Sequence, residues 1–200
     1  MLLEAACEFA HQFLIKANLW AFTSANIVRA VLNHREEVEA LVRYFECRFN
    51  PELSPEEREQ ARDKLYHEAA DMIRGVDDEV ARDTLECIQK LFLHTLRCNY
   101  YVPEIFGLCF RVDKAFLGES DNGEWPYGFF FFHGPASHGF HVRYRDMARG
   151  GMRLVLTRSQ EQFELESNRV FVEATGLALT QQYKTKDIPE GGAKAELLLG

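Results

Sequence analysis

The sequence predicts a protein of α+β or α/β class, helical in its first half and sheet-forming in its second. Three observations carry that expectation. Apolar residues recur at three- and four-residue spacing through about the first 100 positions, as in helices with one buried face. After Pro103 the spacing changes to the alternation of strands. The chain has 200 residues, 46% of them hydrophobic, enough to bury a substantial core.

The helical elements are expected in this order. Residues 1–18 form the first, and roughly 24–48 the second, with Ile27, Ala30, Val31, Val38, Leu41, Val42 and Phe45 on its apolar face. Ser54 is a good N-cap, Pro55 suits the first turn, and the acidic residues that follow favour the positive end of a helix running to about Arg74, where Gly75 ends it. The segment 77–101 supplies another helix, with Val80, Leu85, Ile88, Leu91, Phe92 and Leu96 on one side.

In the second half, "EIFGLCFRVD" is a strand candidate, "GESDNGEWPYG" a loop and "YGFFFFHG" a second strand. In "GFHVRYRD", Phe140, Val142 and Tyr144 alternate with His141, Arg143 and Arg145, and "MRLVLT" supplies a fourth strand. About four strands, mixed or antiparallel, are therefore expected within 104–156, packed against one long helix over 159–184. Ile188-Pro189 must lie outside that helix, because proline disfavours helical geometry in the residue before it. The boundary between a helical segment and an α/β segment falls near residue 100.

Net charge is −8, which argues against a nucleic-acid or membrane-surface role, since both need a basic face. The charge is uneven. Arg143, Arg145, Arg149, Arg153 and Arg158 cluster, so a ligand of that stretch is expected to be a small anion. Five scattered cysteines without CxxC spacing and no signal peptide read as reduced thiols in a cytoplasmic setting. No apolar run is long enough to span a membrane.

Two glycine pairs lie beside basic residues, in "ARGGMR" (148–153) and "PEGGAK" (189–194). The first reads either as a tight turn between strands or as backbone N–H and guanidinium groups converging on a carboxylate or phosphate. The second fails as a phosphate-binding P-loop, because Lys194 is followed by Ala195 and Glu196 rather than by Ser or Thr. Lys194 is then either an exposed turn lysine or a lysine in a glycine-lined pocket suited to acid–base work. His133, His138 and His141 match no zinc signature, so no metal is expected, and no nucleophile elbow or Ser-His-Asp arrangement is present.

Three segments, "LHTLRCNYY…FGLCFRVDKAFL", "GFHVRYRDMARGGMRLV" and "EATGLALTQQYKTKDIPEGGAK", together resemble the large-subunit NAD-specific glutamate dehydrogenases, in the same order and at close spacing. The second resembles that family's HxRFxDxARGGxR segment. The third resembles the E-x3-LA-x2-Q-x2-K and P-x-GG-x-K motifs of the wider glutamate, leucine, phenylalanine and valine dehydrogenases. The resemblance is specific over about 90–194. It implies that 101–200 is the beginning of a mixed-sheet substrate-binding domain, and that the chain is an internal fragment without its cofactor-binding Rossmann domain or catalytic aspartate, inactive alone. The family sheet continues further, which implies an exposed apolar edge here.

By the same resemblance the reaction is oxidative deamination of L-glutamate to 2-oxoglutarate and ammonia, with NAD held by a domain outside this chain and a homo-oligomeric full-length enzyme. Arg149, beside Gly150 and Gly151, would hold the distal carboxylate. Gln181 and Lys184, eight and eleven residues after Glu173, would hold the α-carboxylate. Lys194, after Gly191 and Gly192, would be catalytic at the amino/imino centre. Three departures stand out: only ten residues from Lys184 to Lys194, two fewer than in the small hexameric enzymes; Thr185 where the large enzymes have Asn; and Ala195 in place of the glycine after the lysine. Two other readings remain open: a non-catalytic anion-binding or assembly module, and a dehydrogenase for branched or aromatic amino acids. Arg149 argues against the latter, since an apolar side chain would leave its charge unpaired.

Overall fold

The computed structural model describes residues 1–118, 123, 125–184 and 189–200. Among them are seven α-helices and one mixed six-stranded sheet, an α+β arrangement. The chain divides into two compact units: Leu2–Leu93 with Cys98–Glu104, and His94–Arg97 with Ile105–Gly200.

The helical unit contains α1 (Leu2–Leu14), α2 (Ser24–Asn33), α3 (Arg35–Phe49), α4 (Pro55–Arg74) and most of α5 (Glu79–His94). Thr23 caps α2 by accepting from the Asn26 N–H at 3.2 Å. Ser54 opens α4 in a full capping box, accepting from the Glu57 N–H while the Glu57 carboxylate accepts from the Ser54 N–H at 2.8 Å. The single helix expected over 24–48 is two. His34 leaves helical geometry, and Glu36 and Glu37 begin a new first turn where acidic residues are favoured. Phe9, Leu41, Phe45, Ile73, Leu85 and Phe92 are fully buried in this unit, with Phe45 and Phe92 ring centroids 4.7 Å apart. Cys7 and Cys87 are buried too, and burial pushes both thiols up to about 12, which makes them poor nucleophiles.

The helix expected to run to residue 101 stops at His94, because Thr95–Cys98 extends into strand β1. The sheet continues with β2 (Leu108–Val112), β3 (Gly128–Gly134), β4 (Ser137–Arg143), β5 (Ala148–Leu156) and β6 (Gly191–Leu199), in the order β1-β2-β3-β4-β6-β5. Strands β2, β3, β4 and β6 pair antiparallel in turn, and β5 runs parallel to β6 at the edge. The four strands expected within 104–156 are present. The sixth, β6, inserts between β4 and β5 and was not foreseen. The long helix expected over 159–184 is broken into α6 (Gln160–Ser167) and α7 (Val170–Tyr183), with the break at Asn168 and Arg169. Of the loop expected over 118–128, residues 119–122 and 124 lie outside the described residues, as does Ile188, where an exit from helix was expected.

Alternation along paired strands sorts side chains onto two faces. Phe110, Val112, Phe129, Phe131, Phe140, Val142 and Leu198 share one face and are buried. Helix α7 covers it: the Phe171 ring packs 5.2 Å from that of Phe129, tilted, and 5.1 Å from that of Phe140, edge-on. On the other face, Met152 and Leu154 of β5 are exposed.

Neither glycine pair is a turn. Both lie inside strands, where backbone approaches backbone too closely for a side chain. A Cβ on Gly150 would sit 1.5 Å from the Ala193 carbonyl oxygen, and one on Gly192 would sit 2.1 Å from the Gln182 nitrogen at the end of α7. Gly151 is different, with only the Lys194 Nζ nearby at 3.9 Å. Gly150→Ala is therefore expected to lose at least about 2 kcal/mol of stability in urea unfolding. Gly151→Ala should change it by less than about 1 kcal/mol. Equal losses for the two variants would contradict the β5–β6 pairing.

Candidate active site

The parallel register sets Arg149 opposite Gly192, Gly150 opposite Ala193 and Gly151 opposite Lys194. Paired residues share a face, so Arg149, Gly151, Arg153, Gly192, Lys194 and Glu196 all lie on the side that α7 covers. Gly151 lacks a side chain, and the Lys194 ammonium lies over it. The last turn of α7, with Gln181 and Gln182, rests on Gly192, and Lys184 follows as the exposed C-cap residue. Three elements thus bring Arg149, Lys194 and the end of α7 to one region of the sheet. The segment joining Lys184 to Pro189, including Thr185, lies outside the described residues.

Ala195, between Lys194 and Glu196, alternates to the opposite face, where it pairs with Met152 and His141. Its Cβ therefore does not crowd Lys194.

Several residues of this region escaped the sequence reading. The side chain of Gln182, not Gln181, ties α7 to the sheet, its Oε1 accepting from the Gly192 N–H at 2.8 Å. Glu190 is ion-paired with Arg149, Nε to Oε2 at 2.9 Å, so the guanidinium already faces one carboxylate. Behind Lys194 lies a charged cluster. Arg153 of β5 pairs with Glu173 of α7 and, at 3.3 Å, with Glu196 of β6, while Arg169 pairs with Glu173 at 3.2 Å and with Glu166 at 2.9 Å. Glu196 is only 2% exposed. Had 191–199 been read as a strand, alternation alone would have put Lys194 and Glu196 on one face.

The histidine trio divides between faces. His133 and His138 pair on the α7 side, and His141 points the other way, stacked 5.7 Å from Phe130. Three ligands cannot converge from opposite faces of a sheet, and among the described residues no His/Cys/Asp/Glu group could hold a metal. His138 instead shares a hydrogen bond with Ser167 at 3.1 Å. A hollow of about 640 Å³ near the site lies mainly on the uncovered face and is lined by Phe132, His141, Met152, Ala195 and Leu197. It offers mostly carbon and lies across the sheet from Lys194, so it is not where an anionic substrate would find its charges.

Relatives share this sequence. Glutamate dehydrogenase 2 of Dictyostelium discoideum is 34% identical over 180 residues, 89% of this chain and 17% of the relative. The NAD-specific glutamate dehydrogenase of Neurospora crassa is 44% identical over 104 residues, 52% of this chain and 10% of the relative. That of Saccharomyces cerevisiae is 43% identical over 117 residues, covering 58% and 10%. The chain belongs with the NAD-specific glutamate dehydrogenases. It spans no more than about a sixth of the length of these curated relatives. No protein-family model matches it. Among the described residues, no helix of this glutamate dehydrogenase relative is long and apolar enough to cross a membrane.

Burial is the main reason the Glu196 carboxyl is pushed up from its ordinary 4.5 to about 7; the Glu173 carboxylate adds to the effect, and Arg153 and Lys194 oppose it. Between those two values the folded protein binds more protons at this site than the unfolded chain. The stability contributed by Glu196 is therefore fully present below about pH 4.5 and is lost as pH rises through about 7. Glu8, pushed up to about 7 by burial, gives a slope of the same sign. Glu196→Gln leaves that second slope in place. The variant should gain on the wild type by roughly 1–3 kcal/mol between pH 4.5 and 8 in chemical unfolding, and a pH-independent difference would contradict the buried carboxyl.

Proposed function

We propose that this chain carries the dicarboxylate-binding part of a glutamate dehydrogenase site, for oxidative deamination of L-glutamate to 2-oxoglutarate and ammonia. The observation that carries the reading is the β5–β6 register, which sets Lys194 over side-chain-free Gly151, two positions from Arg149 on the same face. Arg149 would bind the distal carboxylate through its planar fork. Gln181 and Lys184, at the end of α7, would orient the α-carboxylate. Lys194 would act on the amino/imino centre as acid–base and as a positive charge beside the developing carbinolamine. Gly150, Gly151, Gly191 and Gly192 serve by absence of bulk, letting strand and helix close around the ligand.

NAD is the hydride acceptor this reading requires. Neither glycine pair follows a strand and opens a helix, so the described residues do not fit a dinucleotide cradle, and we assign NAD to none of them.

Glu190 is ion-paired with Arg149, so a dicarboxylate would compete with it for the guanidinium. Glu190→Gln should therefore tighten 2-oxoglutarate binding, by roughly three- to tenfold in calorimetry. Arg149→Ala should weaken it by about tenfold or more while leaving a monocarboxylate 2-oxo acid nearly unaffected. Equal effects on both ligands would remove Arg149 from the distal-carboxylate role. Lys184→Ala should weaken binding of both ligands. Lys194→Ala should leave binding comparatively intact and, where turnover is measured, lower kcat by about two orders of magnitude or more.

A further inference from the structure

We propose that Glu196 is a positioning residue for Lys194, acting through a carboxylate pair with Glu173 that holds one shared proton at neutral pH. The proposal rests on the role given to Lys194 above. Its basis is the packing of β6 against α7. Glu196 projects from the middle of β6 into the layer beneath α7, two residues from Lys194 and on the same face. Its Oε1 faces Arg153 at 3.3 Å. Its Oε2 is buried and receives no N–H or O–H donor. The acidic group that adjoins it is the Glu173 carboxylate, another acceptor. Two acceptors facing each other, one of them buried, are reconciled by a proton between them.

Every charged group that faces Glu196 enters the balance. From β5 comes Arg153, from α7 Glu173, from the N-cap of α7 Arg169, and from β6 Lys194; β4 sets the Phe140 ring opposite Glu196, with His138 two residues along on the same face. Arg169 is largely engaged by Glu166, which holds it with both carboxylate oxygens. With one proton shared, the pair carries a single negative charge, which Arg153 balances. When that proton leaves, the pair carries two negative charges against one guanidinium. The excess is then felt by the Lys194 ammonium, two residues from Glu196 on the same strand and face. The pair thereby couples the state of Lys194 to pH: it draws the ammonium toward the α7 layer when fully ionised and releases it toward Gly151 when protonated. Glu173 opens the stretch that runs on to Gln181 and Lys184, so one helix would link the α-carboxylate residues to the group that positions Lys194.

The test is the pH profile of the Lys194 side-chain resonance in lysine-labelled protein, read by NMR alongside the carboxyl resonances of Glu173 and Glu196. In the wild-type chain Lys194 should show an inflection near pH 7 that coincides with titration of the pair. In Glu196→Gln that inflection should vanish. In Glu173→Gln the Glu196 carboxyl should titrate at least about one unit lower, because the neighbouring negative charge is gone. A residue that merely filled space would not move the lysine profile. The proposal is overturned if Lys194 keeps the same inflection in Glu196→Gln, or if both carboxyls titrate in the ordinary range. If Glu196→Gln does not fold, judged by circular dichroism, Glu173→Gln carries the same test from a partly exposed helix position. Calorimetry with 2-oxoglutarate on the same samples separates the two ideas: coupling without ligand binding refutes the function proposed for the site, while the shared proton stands.

Discussion

The parallel pairing of β5 with β6 is the constraint on which the candidate site depends. Two strands that carried ordinary side chains at positions 150 and 192 could not lie as they do, because the Ala193 carbonyl and the last turn of α7 occupy the space. Glycine at both positions lets the backbone on either side of β6 close in. That closeness fixes the register, and the register fixes the face on which each charge emerges. Arg149, Arg153, Lys194 and Glu196 come to one side of the sheet because they sit at matching parity on two strands joined this way. A slip of one residue in β5 would send both of its arginines to the uncovered face, away from Lys194.

That concentration of charge is costly, and the layer around it offsets the cost unevenly. Glu196 gives up nearly all of its water in exchange for one guanidinium and a second carboxylate. Removing water from a carboxylate disfavours its charged form more than one partner recovers, which is why its titration moves upward rather than downward. Arg149 at the strand's other end is two-thirds exposed and meets Glu190, a cheaper arrangement that a competing carboxylate can open. The same face thus holds one ion pair fit for exchange with a ligand and one carboxylate too buried for it.

The helical half shows how far local rules reach. The cap at Ser54, the proline after it and the acidic first turn are all encoded within a few residues, and α4 begins where they say it should. The limits of α3, α5 and α7 were less legible. His34, Thr95 and Arg169 break periodic patterns that continue on either side of them, so no loss of apolar spacing marks these helix limits. The antiparallel strands β3 and β4 were readable from alternation and β-rich composition. Strand β6 was not, because its glycines and its lysine imitate a turn when read without their neighbour.

By itself, then, the sequence determined the class of the chain, the order of most of its elements, its kinship and the identity of Arg149, Gln181, Lys184 and Lys194 as residues of interest. These follow from local periodicity, capping chemistry and motif spacing, all of which survive without knowledge of what lies alongside. Only the tertiary structure decided that the two glycine pairs are paired strand interiors, that Gln182 supplies the side-chain tie to Gly192, that Glu190 covers Arg149, and that Glu196 is buried behind Lys194. Each of those facts depends on which strand lies beside which. Strands β5 and β6 pair through residues more than forty positions apart, and no short window along the chain contains both partners.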